Sequence, residues 1–332
     1  ALPFFQMGIK NNRNWKDRII MTIPTMETNN TKKHVVSFSG GRTSAYLCYL
    51  MKKMHGDNVD FVYMDTGAEH PKTYEFIKKV NKEFDLNLTC LRAKVIPEFG
   101  IGVNYDVVDI EDCIQDLKPF KDIMEKYGTP TVFMPSCTKY MKTYPFDKYC
   151  IDTYGRGNHL TWLGIRIDEQ SRLKGLPVDQ MALFSEAETK TKERKIRYLA
   201  EISDFEKQDV LDWWAKMPFD LDLNEHLGNC VFCVKKGNNK IALAARDEPE
   251  MAKKFIDVIA SDSVRIVETR TSPSELMYRN YHSLKSIIAT YEDKSRDEIR
   301  KTIRYSRQED AGSCSESCES FSDNIDLFDE EK

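Results

Sequence analysis

A short apolar run that ends in Ser-Gly-Gly and passes at once into a helical pattern constrains this chain more than any other feature. Val35-Val36-Ser37-Phe38 leads into Ser39-Gly40-Gly41-Arg42-Thr43-Ser44, and apolar residues then recur at helical spacing from Thr43 to Met54. A strand that meets a helix through two glycines exposes backbone N–H groups at the helix start, where the macrodipole favours an anion. Glycine lets the backbone approach that anion and take up positive φ. Ser39, Thr43 and Ser44 add hydroxyl donors, and Arg42 adds a positive charge. The whole pattern, Ser37-x-Ser39-Gly40-Gly41-x-x-Ser44, reads as a loop that holds the phosphates of a nucleotide. An ordinary glycine turn before a helix is the alternative.

The strand–helix alternation continues downstream. Asp60 to Met64 is a second buried-strand candidate, closed by Asp65-Thr66-Gly67, and a helix is expected from Pro71, since proline suits a first helical turn. Asn87 to Leu91 reads as a third strand and Leu160 to Ile167 as a further one; residues 111–150, Asp204 to Met217 and Glu248 to Ile259 read as helical. This order predicts an α/β fold: an open, mostly parallel twisted sheet with right-handed crossovers, flanked by helices, and a helical C-terminal region. The expected divisions are an N-terminal extension over 1–33, a nucleotide-binding α/β domain with the cysteine segments over 34–245, a helical region over 246–305 and an acidic, disordered tail over 306–332. Asp65 falls where the second strand ends, beside the crevice in which open α/β sheets bind ligands. A carboxylate there holds Mg²⁺ or orients the ribose or adenine; the alternative is a cap for the turn. His70 is expected at the surface, and Thr73 as a helix-surface hydroxyl.

Composition excludes some classes. With 41% hydrophobic and 31% charged residues the chain reads as globular, and no stretch approaches the roughly 20 apolar residues of a membrane helix. The apolar opening is too short for a signal-peptide core, so a cytoplasmic protein is expected, in the host cytoplasm if it is viral, with no membrane partner. The net charge of −4 argues against wholesale nucleic-acid coating. Residues 306–332 carry nine acids and two bases, however, which leaves 47 basic and 44 acidic side chains on the body and room for a local basic groove. Lys190 to Arg197 reads as a solvated face, with a nucleic-acid face as the alternative.

Nine cysteines at scattered spacing do not form a secreted disulfide framework. Cys48, Cys90 and Cys113 read as core, and Trp213-Trp214 as packing. Cys230-x-x-Cys233 can place two sulfurs on one soft metal ion, or serve redox chemistry, or simply pack.

Five segments, in order from about residue 35 to about 245, resemble the phosphoadenosine phosphosulfate (PAPS) reductase-like family of the PP-loop ATP pyrophosphatase superfamily, including phage and DNA-phosphorothioation relatives. They are the Ser-Gly-Gly loop, Phe61-Val-Tyr-Met-Asp65-Thr66-Gly67-Ala-Glu69 with Thr73-Tyr-Glu-Phe-Ile77, Pro135-Ser-Cys137-Thr138-Lys139-Tyr-Met-Lys142, Gly164-Ile165-Arg166-Ile-Asp168-Glu169-Gln-Ser-Arg172, and Asn229-Cys230-Val-Phe-Cys233. The resemblance implies an adenine nucleotide alpha hydrolase-like fold, ATP or PAPS as the bound nucleotide with Mg²⁺, and binding by Ser37 through Ser44 together with Asp65, Thr66 and Gly67. It implies catalytic roles for Arg42, Asp65, Arg166 and Arg172, since an arginine fork matches phosphate or sulfate oxygens. It also implies a [4Fe–4S] cluster, with zinc as the alternative, on Cys137, Cys230, Cys233 and a fourth ligand. Cys318 is taken for that fourth place, with Cys150 and Cys314 as alternatives. In the commoner loop of the family Lys-Asp stands where Arg42-Thr43 stand here, and the tail around Cys314 and Cys318 lacks the Cys-Gly-Leu-His context of authentic reductases. The leading expectation is therefore ATP cleavage with adenylation of a substrate, for sulfur transfer to DNA, tRNA or a small molecule with a sulfur-donor protein as partner. Thiol-dependent PAPS reduction and a non-catalytic nucleotide sensor are the alternatives.

Overall fold

The computed structural model of the protein describes residues 32–98, 100–173, 196–268, 270 and 273–305. Six strands form one sheet in the order β4-β3-β2-β1-β5-β6. The strands are β1 (Lys33–Phe38), β2 (Val59–Asp65), β3 (Thr89–Val95), β4 (Val103–Val108), β5 (His159–Leu163) and β6 (Ile196–Tyr198). All neighbours pair in parallel except β3 with β4, which runs antiparallel at the edge. The chain fills one side of β1 with β2 and β3, then returns to its other side with β5. The order thus reverses between β1 and β5, the place where an open sheet leaves a crevice at its carboxyl end. The α/β expectation is met.

Both faces of the central strands are covered, which is why β1 and β2 read as nearly continuous apolar runs. Val36, Phe38, Phe61 and Tyr63 face α1 (Arg42–His55), α2 (Pro71–Phe84) and α6 (Lys207–Trp214) in one core cluster. Trp213 and Trp214 lie there, edge to face at 4.9 Å, as packing residues. Val35, Val62 and Leu163 face the opposite way, against Phe146 and Cys150. Those two belong to a helical run made of α4 (Ser136–Thr138), a π-helical turn (Lys139–Thr143) and α5 (Tyr144–Tyr154). A third cluster joins α3 (Lys118–Tyr127) to α7 (Asn238–Asp247), α8 (Pro249–Ile259) and α9 (Leu284–Thr290). The last helix, α10, spans Arg296–Tyr305.

Three differences from the sequence expectations have local causes. β3 starts at Thr89, because Asn87 adopts φ of 52°, a left-handed conformation that a strand does not contain. β5 stops at Leu163, because the Ile165 N–H turns back to the Leu163 carbonyl in a 2.8 Å bond. The unexpected strand β4 is half-exposed, and its preceding turn is held by the Lys126 ammonium, which donates to the carbonyls of Ile96, Glu98 and Ile101. The N-terminal extension to residue 31, Lys190 to Lys195, and the tail with Cys314 and Cys318 lie outside the described residues. Arg197 belongs to β6, paired with Glu201 and stacked 5.2 Å over Trp162. Among the described residues no helix is long and apolar enough to cross a membrane.

His34 on β1 is buried, stacks on His55 at 4.2 Å, and accepts a 2.9 Å hydrogen bond from the Trp162 indole at Nδ1. Burial first, then the charges of His55, Arg197 and Lys33, lower its pKa from 6.5 to about 4. The folded protein therefore holds fewer protons than the unfolded chain between these values. The stability is complete above pH 6.5 and is lost as pH falls through about 4. Denaturant titrations from pH 7 down should show a loss of about 3 kcal/mol from this site. His34→Asn, which keeps an acceptor for Trp162, should flatten that part of the profile.

Candidate functional site

The loop between β1 and α1 is braced from within. Gly40 has φ of 77°, and a Cβ there would stand 3.0 Å from the side chains of Thr73 and Ile77 on α2. Thr73 is thus a buried packing residue under the loop, and not the surface hydroxyl that the sequence suggested. The hydroxyls of Ser39 and Ser44 lie 2.8 Å apart, and Ser44 also donates to the Gly41 carbonyl. These two serines hold the loop's shape. Gly41 is the N-cap of α1 and provides no side-chain cap, and the first turn carries no acid, so its N–H groups and dipole remain available to an anion.

A cavity of about 170 Å³ opens onto this helix start. Gly40, Gly41, Arg42, Thr43 and Arg166 line one side, and Val210, Leu211, Leu221 and Leu223 supply an apolar wall. Arg166 is 6% exposed, held by Asp168 at 2.8 and 3.1 Å, and donates to the Thr43 hydroxyl at 3.2 Å. The Gly-Ile-Arg segment therefore delivers a fixed cation to the loop. It gets there because Gly164 has no side chain: a Cβ would meet the Ser44 Cα at 2.9 Å and its amide nitrogen at 3.0 Å. Arg42, on the same lining, is engaged in a two-pronged pair with Asp220 at 2.7 and 2.9 Å and donates to the Leu221 carbonyl. Arg172 is buried against Glu169 and lines neither this cavity nor the next one. Ser37 sits in β1 opposite Val62, also away from both.

Asp65 is fully buried and already engaged. Oδ1 accepts from the Gly67 N–H at 3.0 Å and from the Tyr74 hydroxyl at 3.1 Å, while Oδ2 meets the Arg92 guanidinium at 2.6 Å. Burial, then the Glu69 charge, push its pKa up against the pull of Gly67 and Arg92. This is the geometry of the turn-capping role, with both carboxylate oxygens already engaged. Arg92 was not singled out by sequence, although its place opposite Asp65 in the β2–β3 register makes the pair a cross-strand one. Gly67, at φ of 67°, shapes the turn, and a Cβ there would collide with Asp116 at 2.5 Å. His70 is buried as well: it caps α2 by accepting from the Lys72 N–H and meets Glu248 at 3.2 Å.

Thr66 leads to a second, smaller cavity of about 30 Å³, where Cys137, Cys230 and Cys233 converge with Lys142, Thr138, Asn229 and Phe232. The cysteine pair docks on the Asp-Thr-Gly turn: Glu69 and Cys230 form a bridge, and the Val231 N–H donates to the Ala68 carbonyl. Glu69, 2% exposed, accepts from Thr66 and Tyr74. Beneath the pair, the ammonium of Lys236 donates to the carbonyls of His226, Gly228, Cys230 and Val231. Burial works against the charge of Lys142, but Glu69 and the three thiols together raise its pKa. Burial also raises the pKa of Cys137 and of Cys230. Among the described residues no group of three His, Cys, Asp or Glu side chains is arranged to hold a metal ion. Three of the four expected ligands, Cys137, Cys230 and Cys233, thus share one cavity, and the fourth, Cys318, lies outside the described residues. Cys150 packs with Val35 and Leu163 instead, and Cys48, Cys90 and Cys113 are core residues, as expected.

Asn229 lines both cavities. It has φ of 53° and is 6% exposed, and its Nδ2 is buried without a hydrogen-bond partner among the described residues. An orphaned buried donor of this kind costs about 1–3 kcal/mol.

The close approach of Gly164 yields a direct test. Gly164→Ala should push the first turn of α1 off the end of β5 and weaken binding of a nucleotide triphosphate at least tenfold. Titration calorimetry would show this with only a modest fall in melting temperature.

Comparison with known proteins gives the family. The family model described as phosphoadenosine phosphosulfate reductase domain matches residues 33–217. The uncharacterized nin region protein ORF290 of Escherichia phage lambda is 46% identical over 299 residues, covering 89% of this chain and 97% of that protein. The phosphoadenosine 5'-phosphosulfate reductase of Vibrio vulnificus strain YJ016 is 38% identical over 60 residues, 18% of this chain and 23% of that one. Among solved structures, the U34-tRNA thiolase NcsA from Methanococcus maripaludis, with its [4Fe-4S] cluster, aligns over 80% of this chain and 72% of its own at 13% identity. Its TM-score of 0.35 makes that likeness too distant to carry an argument. With its Ser-Gly-Gly loop, Gly-Ile-Arg segment and cysteine pair gathered at the carboxyl end of one sheet, the chain belongs to the phosphoadenosine phosphosulfate reductase domain family.

Proposed function

We propose that the protein binds ATP with its phosphates at the Ser39–Ser44 loop, cleaves it between the α- and β-phosphates, and adenylates an acceptor for sulfur transfer. The observation that carries this reading is the single cavity that combines a bare helix N-terminus, a buried guanidinium and an apolar wall. These are the complements of a triphosphate and a flat base. An acceptor oxygen attacks the α-phosphorus, the bond to the bridging oxygen breaks, and pyrophosphate leaves with the charge. The N–H groups at the start of α1 and the Arg166 guanidinium stabilise that charge in place. A sulfur nucleophile then displaces AMP from the acceptor, a nucleic acid or a small molecule, with sulfur brought by a donor protein. The neighbouring thiols support sulfur chemistry. Magnesium, when bound with the nucleotide, supplies neutralising charge on the phosphates.

The two arginines differ in how firmly they are held. The Arg166 side chain is 7% exposed and held by both Asp168 and Glu169, so it stays where it is. The Arg42–Asp220 pair is 24% and 39% exposed, and such pairs are worth about 0–1 kcal/mol. A triphosphate offers stronger, charge-assisted bonds and draws Arg42 off Asp220. Asp220→Asn should accordingly tighten ATP binding up to about fivefold, and Arg42→Ala should weaken it about tenfold. The decisive assay follows products from the full chain, with acceptor candidates supplied. Pyrophosphate and AMP from ATP support the proposal. Cleavage between the β- and γ-phosphates rules it out, as does release of sulfite and adenosine 3′,5′-bisphosphate from PAPS with ATP left intact.

A further inference from the structure

Asn229 sits where the two cavities meet, and nothing in the fold accounts for its side chain. The residue lines the phosphate-loop cavity together with Gly41, Thr43 and Arg166, and it lines the thiol cavity together with Thr66, Lys142 and Cys230. Its backbone is left-handed, at φ of 53°, and its Nδ2 is buried with no partner among the described residues. Either cost would disappear if the segment relaxed, but the segment is pinned. The ammonium of Lys236 holds the carbonyl before Asn229, that of Gly228, at 2.8 Å and the one after it, that of Cys230, at 3.0 Å. On the far side the bridge between Glu69 and Cys230 ties the same stretch to the Asp-Thr-Gly turn. A donor kept unsatisfied by a rigid backbone is a donor prepared for a ligand.

The charges around it define that ligand. Arg166, itself paired with Asp168 and Glu169, lines the loop side together with Lys207 and Glu225, and Lys142, near Glu69, lines the thiol side. Charged donors thus flank the junction on both sides, and the ligand atom that meets Asn229 there is an acceptor. We propose that Asn229 is a positioning residue whose carboxamide nitrogen donates a hydrogen bond to a phosphoryl oxygen of the bound nucleotide at the junction of the two cavities. Rotation of the carboxamide presents the donor to either side. Held in this way, the phosphoryl group nearest the junction faces the cavity that contains the three thiols. This inference rests on the nucleotide reading above.

Glycine at this position accepts a φ of 53° without strain, so Asn229→Gly removes the donor while relieving the backbone. Asn229→Asp keeps the shape and exchanges the donor for a negative charge. The full chain and both variants would be titrated calorimetrically with α,β-methylene-ATP, which resists cleavage at the relevant bond, and with adenosine, which lacks the phosphates. The expected result is a tenfold to hundredfold loss of affinity for the analogue in both variants, larger for Asn229→Asp, with adenosine binding unchanged. In ¹⁵N-labelled parent protein the Asn229 side-chain amide resonances should shift on addition of the analogue and stay in place with adenosine. Variants that bind the analogue as the parent does would overturn the inference. So would variants that lose analogue and adenosine alike, since that pattern means a structural role. A parent protein that binds neither compound would instead remove the nucleotide reading itself.

Discussion

The site depends on one contact without side chains: the end of β5, at Gly164, lies directly against the backbone of Ser44 in the first turn of α1. Glycine suits this place, because a Cβ would stand 2.9 Å from the Ser44 Cα and force the strand end and the helix apart. The contact seats the helix start at the point where the strand order reverses, between β1 and β5. Two residues further on, Arg166 reaches Thr43, so the phosphate-binding end of the helix and its buried cation are set by the same few atoms. Gly40 does the corresponding work on the other side, where the loop is packed against α2.

The cysteine segment is built onto this frame from a distance in sequence. The Asp-Thr-Gly turn after β2 offers the Ala68 carbonyl to Val231, and its shape is fixed by Asp65, which is spent on Gly67, Tyr74 and Arg92. A carboxylate at the end of the second strand thus supports the site without entering either cavity. The same turn contributes Thr66 to the thiol cavity, and so couples the strand end to the cysteines.

Much of the fold was legible because parallel, doubly covered strands write themselves as apolar runs closed by glycine or Asp-Thr-Gly. Val35 to Phe38 and Asp60 to Met64 are such runs, and both are strands. The half-exposed β4 and the three-residue β6 escaped, since neither carries enough buried residues to make a pattern. In the site, residue types announced the loop, the Gly-Ile-Arg segment and the cysteine pair. What they did not announce was pairing. Arg42 and Asp220 are 178 residues apart, and the Arg92–Asp65 pair depends on strand register. Lys236 holds backbone carbonyls and Asn229 carries a buried donor with no partner among the described residues, and neither arrangement can be read from the residue type alone.

Lys236 has one more consequence. Its ammonium sits among four main-chain carbonyls, much as a dehydrated potassium ion sits in a carbonyl cage. Here the cation is covalently tethered and cannot exchange with the solvent. The segment beneath the cysteines therefore carries its own cation, and its shape should be indifferent to which monovalent salts surround the protein.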